Sequence, residues 1–343
     1  MVQNRVLWAK KALRCSLCCK FIRFIVQELI MAIITKIEIA NFFGKGNFVW
    51  DLDPQVNILG GKNGSGKSSI FRCCYNLLSG NVNEGEDWAF RDLFDRIRLT
   101  FSNGWTLNWK KIPTNTGTYL DYLQKWSEEA LTVVDDLGCK RQLDELRENI
   151  QAFYLNSFEQ SISQALKYEK LPSTQTLEDP LMLDLMIKDQ INLRNNLRSK
   201  IAEKMYELSK KNPQQGTFKF MDYLEESNKI YTSLSHFLQG YAEPFDSDFI
   251  FAKNGASIKF DKLSMGEKQI LLILLMVSNT ENSPCIFFMD EPDLSMHIDW
   301  KEILVTELHK LNPNMQIILS THAPSVITGW HDRVKEVEQL IRK

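Results

Sequence analysis

The stretch that decides the fold is Gln55-Val-Asn-Ile-Leu-Gly-Gly61-Lys-Asn-Gly-Ser-Gly66-Lys67-Ser68. It begins as an apolar strand and becomes a glycine-rich loop, after which residues 68–78 have helical spacing. GxxxxGK[ST] between a strand and a helix predicts a phosphate-binding loop, in which backbone N–H groups and a helix amino terminus surround phosphate oxygens. An ordinary glycine-rich turn is the alternative, and the strand–loop–helix context argues against it. The nucleotide-binding candidates of this loop are Gly61, Asn63, Gly64, Ser65, Gly66, Lys67, Ser68 and Ser69.

Two side chains of this loop have specific expected roles. Lys67 would reach the β- and γ-phosphates of ATP, and the Ser68 hydroxyl would bind Mg²⁺. The second Mg²⁺ ligand is expected at Asp290, because Cys285-Ile-Phe-Phe-Met-Asp290-Glu291 is an apolar strand that ends in two carboxylates. The adjacent Glu291 would polarise an attacking water as general base. His322 follows the next apolar strand and is a second catalytic candidate, since it could touch the γ-phosphate and the water.

A third motif, Leu263-Ser-Met-Gly-Glu-Lys-Gln269, lies upstream of the acidic pair and begins a predicted helix. Ser264 and Gly266 at a helix start form another anion site. Glu267, three residues after Ser264, completes a capping box, so a purely structural helix cap and a phosphate site predict the same local structure. All three residues are therefore candidates for nucleotide binding.

Composition limits the class of protein. The chain has 343 residues, 41 Lys and Arg, 43 Asp and Glu, and 44% hydrophobic residues, which excludes collagen-like and wholly disordered chains. The formal charge of -2 removes the argument for a strongly basic nucleic-acid binder. No run approaches the roughly 20 apolar residues that a membrane span needs, so no membrane association is expected.

Residues 1–30 differ from the rest of the chain in net charge. They contain six Lys or Arg residues and one Glu, a net charge of +5, which leaves -7 for residues 31–343. We expect a dubious or disordered extension with Met31 as the biological start, since Gln27–Met31 can be encoded with a ribosome-binding AGGAG. A genuine basic tail is the alternative. The cysteines downstream show no disulfide framework, which indicates a cytoplasmic protein.

The organisation predicted is an α/β fold interrupted by a helical insertion. Strand patterns dominate 31–115 and return over 246–343, whereas 116–245 is mainly of helical spacing. These ranges are the expected amino-terminal lobe, carboxyl-terminal lobe and insertion of one domain.

The motifs resemble those of the ATP-binding-cassette ATPases, in the same order: LGGKNGSGKSS, LSMGEKQ, FFMDEP, DLS and STHAP. The strand Lys36–Phe42, the helical insertion and EPDLSMHIDW are similar to the RecF/SMC branch, which includes OLD nucleases and the ATPase subunits of Septu-type phage-defence systems. The resemblance implies a P-loop ATPase head, with a mixed sheet and flanking helices, that uses ATP and Mg²⁺. It also implies dimerisation with ATP between Lys67 of one head and Ser264 and Gly266 of the other, and Asp293 communicating across the interface.

Two positions of the ATP-binding-cassette pattern have no direct match in this sequence. The Q-loop glutamine usually ends a strand before the insertion, but here residues 151–155 are followed by Asn156, and Gln160 is the nearest candidate. The adenine-stacking aromatic is unassigned between Phe42 and Phe43, and such residues are more often part of a core.

Three functions compete. The first is a regulatory ATPase that forms a homodimer or higher oligomer and controls a separate nuclease or toxin, in phage defence. It is favoured because the chain ends soon after His322, which leaves no room for the nuclease domain of OLD proteins. The second is a genome-maintenance ATPase acting directly on DNA, through the basic run 188–211, although a solvated helix face is the better explanation of that run. The third is a transporter ATPase subunit.

Overall fold

The computed structural model describes residues 32–79, 93–111, 131–148, 150–156, 182–211, 213–241 and 249–342. Residue contacts divide the chain into two compact units. The first comprises Met1–Pro54, Cys73–Ala152 and Leu340–Lys343, and the second comprises Gln55–Arg72 and Phe153–Gln339. Residues 1–31, which include the predicted extension and Met31, lie outside the described residues, as does Gln160.

The first unit contains a seven-stranded antiparallel sheet. In chain order its strands are β1 (Ile34–Ala40), β2 (Asn47–Asp51), β4 (Arg96–Phe101), β5 (Thr106–Lys110), β6 (Leu131–Val134), β7 (Lys140–Arg141) and β14 (Ile341–Arg342), and the spatial order is β14-β2-β1-β4-β5-β6-β7. The alternating pattern of β1 buries Ile37 and Ile39 on one face, and Ile34 is also buried, before an irregularity in the pairing with β4. β4 and β5 form an antiparallel hairpin, with Gly104 at a φ of 86° in its turn.

The second unit contains a five-stranded sheet of order β13-β3-β12-β11-β8. Its strands are β3 (Val56–Gly60), β8 (Ala152–Asn156, whose first residue belongs to the other unit), β11 (Cys285–Asp290), β12 (Met315–Ser320) and β13 (Val334–Glu336). β3, β11 and β12 run parallel, and every one of their residues is buried. Continuous apolar runs are what parallel strands covered on both faces require. Parallel pairing brings the carboxyl ends of these three strands, and the residues that follow them, to one edge of the sheet.

The helices that bear on the site are α1 (Lys67–Ser79), α5 (Met265–Ser278) and α6 (Ile298–Leu311). Two longer helices, α3 (Met182–Lys211) and α4 (Pro213–Phe237), pack on each other as an antiparallel pair, and α3 also packs along α5. Short elements complete the described chain: the hairpin β9 (Phe251–Lys253) with β10 (Ala256–Ile258), α2 (Leu143–Arg147) and α7 (Val337–Leu340). None of the helices in these described stretches is both long and apolar enough to cross a membrane.

The structure differs from the expected helical insertion at 131–141, where the chain forms β6 and β7. The short apolar stretch at 152–155, which the sequence marks as a strand, is present in β8, and the long helices of the described residues are α3 and α4. The reason is local: Thr132, Val133 and Val134 are β-branched, and this favours an extended strand. Pro213 does begin α4, where its missing N–H costs no helical hydrogen bond. The boundaries 31–115, 116–245 and 246–343 stay a prediction.

Candidate functional site

The phosphate-binding loop joins β3 to α1 and has the backbone that its glycines predict. Gly61, Gly64 and Gly66 have φ values of 140°, 73° and 104°, a region that other residues rarely adopt. A Cβ on Gly61 would lie 2.9 Å from Ser65 Oγ, so the loop has no room for a side chain there. Ser65 Oγ is itself buried and has no hydrogen-bond partner among the described residues. Asn63 and Gly64 form the turn of the loop, and Ser68 and Ser69 lie in the first turn of α1.

Lys67 is nearly fully buried and faces its own loop. Its Nζ donates hydrogen bonds to the carbonyl oxygens of Gly61 at 3.0 Å and Lys62 at 3.3 Å. It also lies 2.8 Å from His322 Nε2. Burial lowers the pKa of Lys67, and the carboxylates of Glu291 and Asp290 partly offset that effect. Both predicted carboxylates therefore act electrostatically on the predicted phosphate-binding lysine.

Asp290 and Glu291 have different environments although they are adjacent. Asp290 is buried, and its Oδ1 accepts a hydrogen bond of 2.5 Å from Ser320 Oγ, on the neighbouring strand. Glu291 has a φ of 49°, a strained value for a residue with a Cβ. Its N–H donates to Ser320 O at 3.1 Å, and this contact holds the strained turn against β12. The turn directs the carboxylate to His322, with Glu291 Oε1 3.3 Å from the ring Nε2.

The structure thus brings together Lys67, Asp290, Glu291 and His322, which come from separate parts of the sequence. The arrangement suits a nucleotide with bound Mg²⁺. The orphan Ser65 hydroxyl and the glycine backbone fit a phosphate, while the Ser68 hydroxyl and the Asp290 carboxylate are the oxygen ligands that Mg²⁺ prefers. Bound Mg²⁺ would neutralise charge on the phosphates.

The Ser264 motif forms the helix start that its sequence predicts. Ser264 caps α5, and a complete capping box joins it to Glu267, with Ser264 N donating to Glu267 Oε2 at 2.7 Å. Partial burial opposes ionisation of Glu267, but the Ser264 hydrogen bonds and Tyr241 lower its pKa overall. A Cβ on Gly266 would collide with Ser295 O, so glycine is needed where α5 meets the segment after Glu291.

Asp293 is buried within its own chain, where both carboxylate oxygens have partners. Oδ1 accepts a hydrogen bond of 2.9 Å from Thr321 Oγ1, and Oδ2 lies 3.3 Å from Lys301 Nζ. Because Thr321 precedes His322, Asp293 connects the loop after β11 to the loop that carries the histidine. If Asp293 communicates across a dimer interface, as predicted, its contact with Thr321 is the route by which it would affect His322.

Sequence reasoning missed three supporting residues. Gln269 is buried and donates from Nε2 to Pro292 O at 2.7 Å, which fixes the segment after Glu291. Ser320 and Thr321 fix Asp290 and Asp293 as described above. Gln269 belonged to a recognised motif and Thr321 adjoined a recognised histidine, but only the parallel pairing of β11 with β12 shows what they contact.

The two aromatic candidates for adenine differ in exposure. Phe42 is buried, with its ring 5.6 Å from that of Phe48, and is therefore a core residue of the first unit. Phe43 is less buried and has a φ of 51°. Gln160 lies outside the described residues.

A protein-family profile described as an AAA ATPase domain matches residues 106–327, which is more than half of the chain. The chain therefore belongs to the AAA ATPase domain family. It is 35% identical over 105 residues to the Retron Vc95 probable ATPase of Vibrio cholerae serotype O1 biovar El Tor, across 27% of this chain and 20% of that protein. It is 26% identical over 181 residues to the Retron Ec83 probable ATPase of Escherichia coli, across 47% of this chain and 32% of that protein. The chain thus spans a third or less of the curated relatives it matches.

Solved structures of SMC heads share the fold. An Smc head bound to the C-winged helix domain of ScpA matches with a TM-score of 0.53 at 14% identity, over 86% of this chain and 91% of that one. An Smc head with an extended coiled coil from Pyrococcus furiosus matches with a TM-score of 0.50 at 12% identity, over 87% and 91% of the two chains. The predicted fold, an α/β ATPase head of the SMC-like kind, is confirmed. The predicted ATPase class is confirmed as well.

Proposed function

We propose that this protein binds and hydrolyses ATP, dimerises on ATP, and controls a separate effector protein in antiviral defence. The observation that carries the proposal is the cluster at the carboxyl ends of β3, β11 and β12, where Lys67, Glu291 and His322 are linked by contacts of 2.8 and 3.3 Å. In the proposal, Lys67 binds phosphates, Ser68 and Asp290 hold Mg²⁺, and Glu291 is the general base.

The position of the His322 ring proton determines which neighbour its Nε2 can hydrogen-bond. Nε2 can accept a hydrogen bond from Lys67 or donate one to Glu291, but it cannot do both at once. While Lys67 donates to it, the ring proton lies on Nδ1. Once Lys67 binds elsewhere, Nε2 is free to carry a proton and orient the Glu291 carboxylate. His322 would thereby connect occupancy of the phosphate-binding loop to alignment of the base.

Dimerisation is supported by exposed apolar side chains around the Ser264 motif. Met265, Leu294 and Ile298 are 50%, 49% and 59% exposed, and the segment that carries the latter two meets α5 at Gly266 and Ser295. Large apolar side chains that remain exposed together favour a protein interface. In the proposed dimer this surface faces the phosphate-binding loop of a second copy, so Ser264, Gly266 and Glu267 complete the site there.

The dimer is tested with Glu291→Gln protein and ATP, by light scattering during size-exclusion chromatography. A mass of two chains is expected with ATP and of one chain with ADP. Leu294→Asp should abolish the dimer but keep ATP binding, because it places a charge in the interface. The matched control is Leu137→Asp, since Leu137 is 79% exposed and belongs to the other unit. A single-chain mass with ATP in the Glu291→Gln protein would refute the dimer.

The effector and defence parts of the proposal are supported by the resemblance to defence-associated retron ATPases. The native locus, with the genes that flank it, should protect cells against phage in an efficiency-of-plating assay. Lys67→Ala and Glu291→Gln should each remove that protection. Protection that persists in both variants would show that ATP turnover does not control the effector.

Direct action on DNA has weaker support in the structure. Arg194, inside the basic run 188–211, is only 4% exposed and cannot contact a phosphate backbone at the surface. Lys210 is paired with Glu207 at 2.8 Å. Exposed cations such as Lys200 and Lys204 remain, with the acidic Glu203 between them. Steeply salt-dependent DNA binding that raises the ATPase rate would favour this second function over control of an effector.

A further inference from the structure

A series of polar contacts connects helix α6 to the loop that carries His322. Lys301 is the fourth residue of α6, and its Nζ lies 3.3 Å from Asp293 Oδ2. The other oxygen of that carboxylate, Oδ1, accepts a hydrogen bond of 2.9 Å from Thr321 Oγ1. Thr321 directly precedes His322 in the sequence. The contacts therefore run from Lys301, through Asp293, to the residue beside the histidine.

The Thr321 hydroxyl fixes the backbone around His322. Its Oγ1 accepts a hydrogen bond of 2.9 Å from the N–H of Ala323, and this bond encloses His322 in a tight turn. A hydroxyl has one proton and two lone pairs, so it donates to Asp293 and accepts from Ala323 at the same time. Without Asp293 as its acceptor, Thr321 would be free to adopt another rotamer, which would break the bond to Ala323. The carboxylate thus holds the turn that presents His322.

Asp293 in turn needs a cation, because its carboxylate is buried. Its side chain is 6% exposed, and that of Lys301 is 19% exposed. A buried carboxylate is unfavourable unless an opposite charge and hydrogen-bond donors lie beside it. Thr321 supplies one neutral donor, and Lys301 supplies the positive charge. Removal of this charge should therefore draw the carboxylate towards water and away from Thr321.

The loop that follows β11 does not depend on the Asp293 side chain for its shape. Its backbone is held by the N–H of Met296, which donates to Asp293 O at 3.1 Å. Gln269 Nε2 also donates to Pro292 O at 2.7 Å. Since these contacts do not involve the carboxylate, stabilisation of this loop does not explain why Asp293 has two polar partners. The contact with Thr321 does explain them.

The His322 ring lies where a small movement of the turn would change its contacts. Its Nε2 is 2.8 Å from Lys67 Nζ and 3.3 Å from Glu291 Oε1. Hydrogen bonds weaken steeply with distance and angle, so a shift of the ring by about 1 Å would break one or both contacts. The placement of the ring is therefore sensitive to the Thr321 turn.

We propose that Lys301 is a positioning residue for ATP hydrolysis. Through Asp293 and Thr321, it holds the His322 ring against Lys67 and Glu291. Lys301 itself does not touch the nucleotide, and it acts within one chain, so a dimer is not required. The inference rests on the proposed catalytic role of His322, but the placement of the ring can be measured separately from hydrolysis.

The first test measures the placement of the ring by NMR of protein labelled with 15N-histidine. The ring signals of His322 are identified by their loss in His322→Ala. They should shift in Lys301→Met, which removes the charge, and in Thr321→Val, which replaces the hydroxyl by a methyl group. Lys301→Arg keeps the charge and should restore the native signals.

Lys310→Met is the matched control for Lys301→Met. Lys310 also lies on α6 and pairs with a buried carboxylate, that of Glu307, at 2.8 Å. That carboxylate contacts His236 and not the loop of His322. Lys310→Met should therefore leave the His322 signals unchanged.

The second test is a double-mutant cycle in steady-state ATP hydrolysis. Lys301→Met should lower kcat about tenfold or more and leave the KM for ATP within about threefold, because it misplaces a catalytic group and leaves the phosphate-binding loop intact. In a His322→Ala background the same substitution should lower kcat by less than about twofold, since residues that act through one another are not additive. Lys310→Met should keep the native kcat.

Unchanged His322 signals in Lys301→Met and Thr321→Val would overturn the proposal. An equal loss of kcat from Lys301→Met in the native and His322→Ala backgrounds would also overturn it, because Lys301 would then act elsewhere. If Lys301→Met does not fold, Thr321→Val carries both tests. A native rate of hydrolysis in His322→Ala would instead refute the proposed catalytic role of His322, and the ring signals would still decide whether Lys301 positions it.

Discussion

His322 Nε2 lies between a cation and a carboxylate, 2.8 Å from Lys67 Nζ and 3.3 Å from Glu291 Oε1. The side chain is 41% exposed, whereas that of Glu291 is 19% exposed, so the histidine lies at the mouth of the site and the carboxylate lies deeper. The strained φ of Glu291 is maintained by its N–H bond to Ser320. Strain that the surroundings hold in place is common where a side chain must be presented to a reaction.

Lys67→Ala is expected to abolish nucleotide binding, because it removes the cation that we propose contacts the phosphates. Fluorescence titration with a labelled ATP analogue should show at least a hundredfold loss of affinity. Lys259→Ala is the control, since Lys259 is an exposed lysine of the same unit outside the site. Native affinity in Lys67→Ala would mean that the loop does not bind phosphate.

The exposed cysteine should react with a thiol reagent faster than the buried cysteines do. Burial raises the pKa of the Cys285 thiol to about 12 and that of Cys74 well above its usual value, so neither forms thiolate at pH 8. Cys139 is exposed. Iodoacetamide treatment of the native protein at pH 8, followed by peptide mass spectrometry, should modify Cys139 and leave Cys74 and Cys285 at least tenfold less modified. Equal modification of all three would contradict the described packing.

At the scale of elements, α5 links the Ser264 motif to the long helix pair. Lys268, within the motif, lies 2.7 Å from Asp184 of α3, and both side chains are almost fully buried. Asp184 Oδ1 receives no hydrogen bond of good angle, so the contact is an ion pair by distance alone. Farther along the same helices, Arg194 donates to Ser278. α3 and α5 thus run side by side in parallel, with polar contacts at both ends of an apolar seam.

Removing one member of the Lys268–Asp184 ion pair should lower the stability of the protein. Lys268→Met is expected to lower the free energy of unfolding by about 3–5 kcal/mol, because it leaves Asp184 buried without a counter-charge. The double variant Lys268→Met with Asp184→Leu should return to within about 1 kcal/mol of the native protein, since no buried charge remains. Urea unfolding followed by circular dichroism measures both. Equal losses in the single and double variants would show that packing rather than charge sets the cost.

The sequence predicted those elements whose patterns are strong on their own. β3, β11 and β12 are short and mainly apolar runs, and α1 and α5 begin at motifs that also specify a helix start. β6 and β7 were missed, because residues 131–141 are too short to show a period and helical spacing surrounds them. The residues of the phosphate-binding loop could be named from the sequence, whereas the contacts of Asp293 and Gln269 depend on which strands pair, and that is a tertiary property.

At the scale of the whole molecule, two compact units each have a sheet of their own, and the proposed phosphate-binding and catalytic residues belong to the second of them. The predicted site residues in the described part of that unit include motifs more than 200 positions apart in sequence.

The central claim is that Glu291 is the general base of an ATPase whose phosphate-binding loop contains Lys67. Steady-state hydrolysis and equilibrium binding of ATP, measured together on the native protein and on Glu291→Gln, test it most directly. We expect the variant to bind ATP with an affinity within about twofold of native and to hydrolyse it at least a hundredfold more slowly, the scale of general-base catalysis. Hydrolysis by Glu291→Gln at the native rate would contradict the assignment.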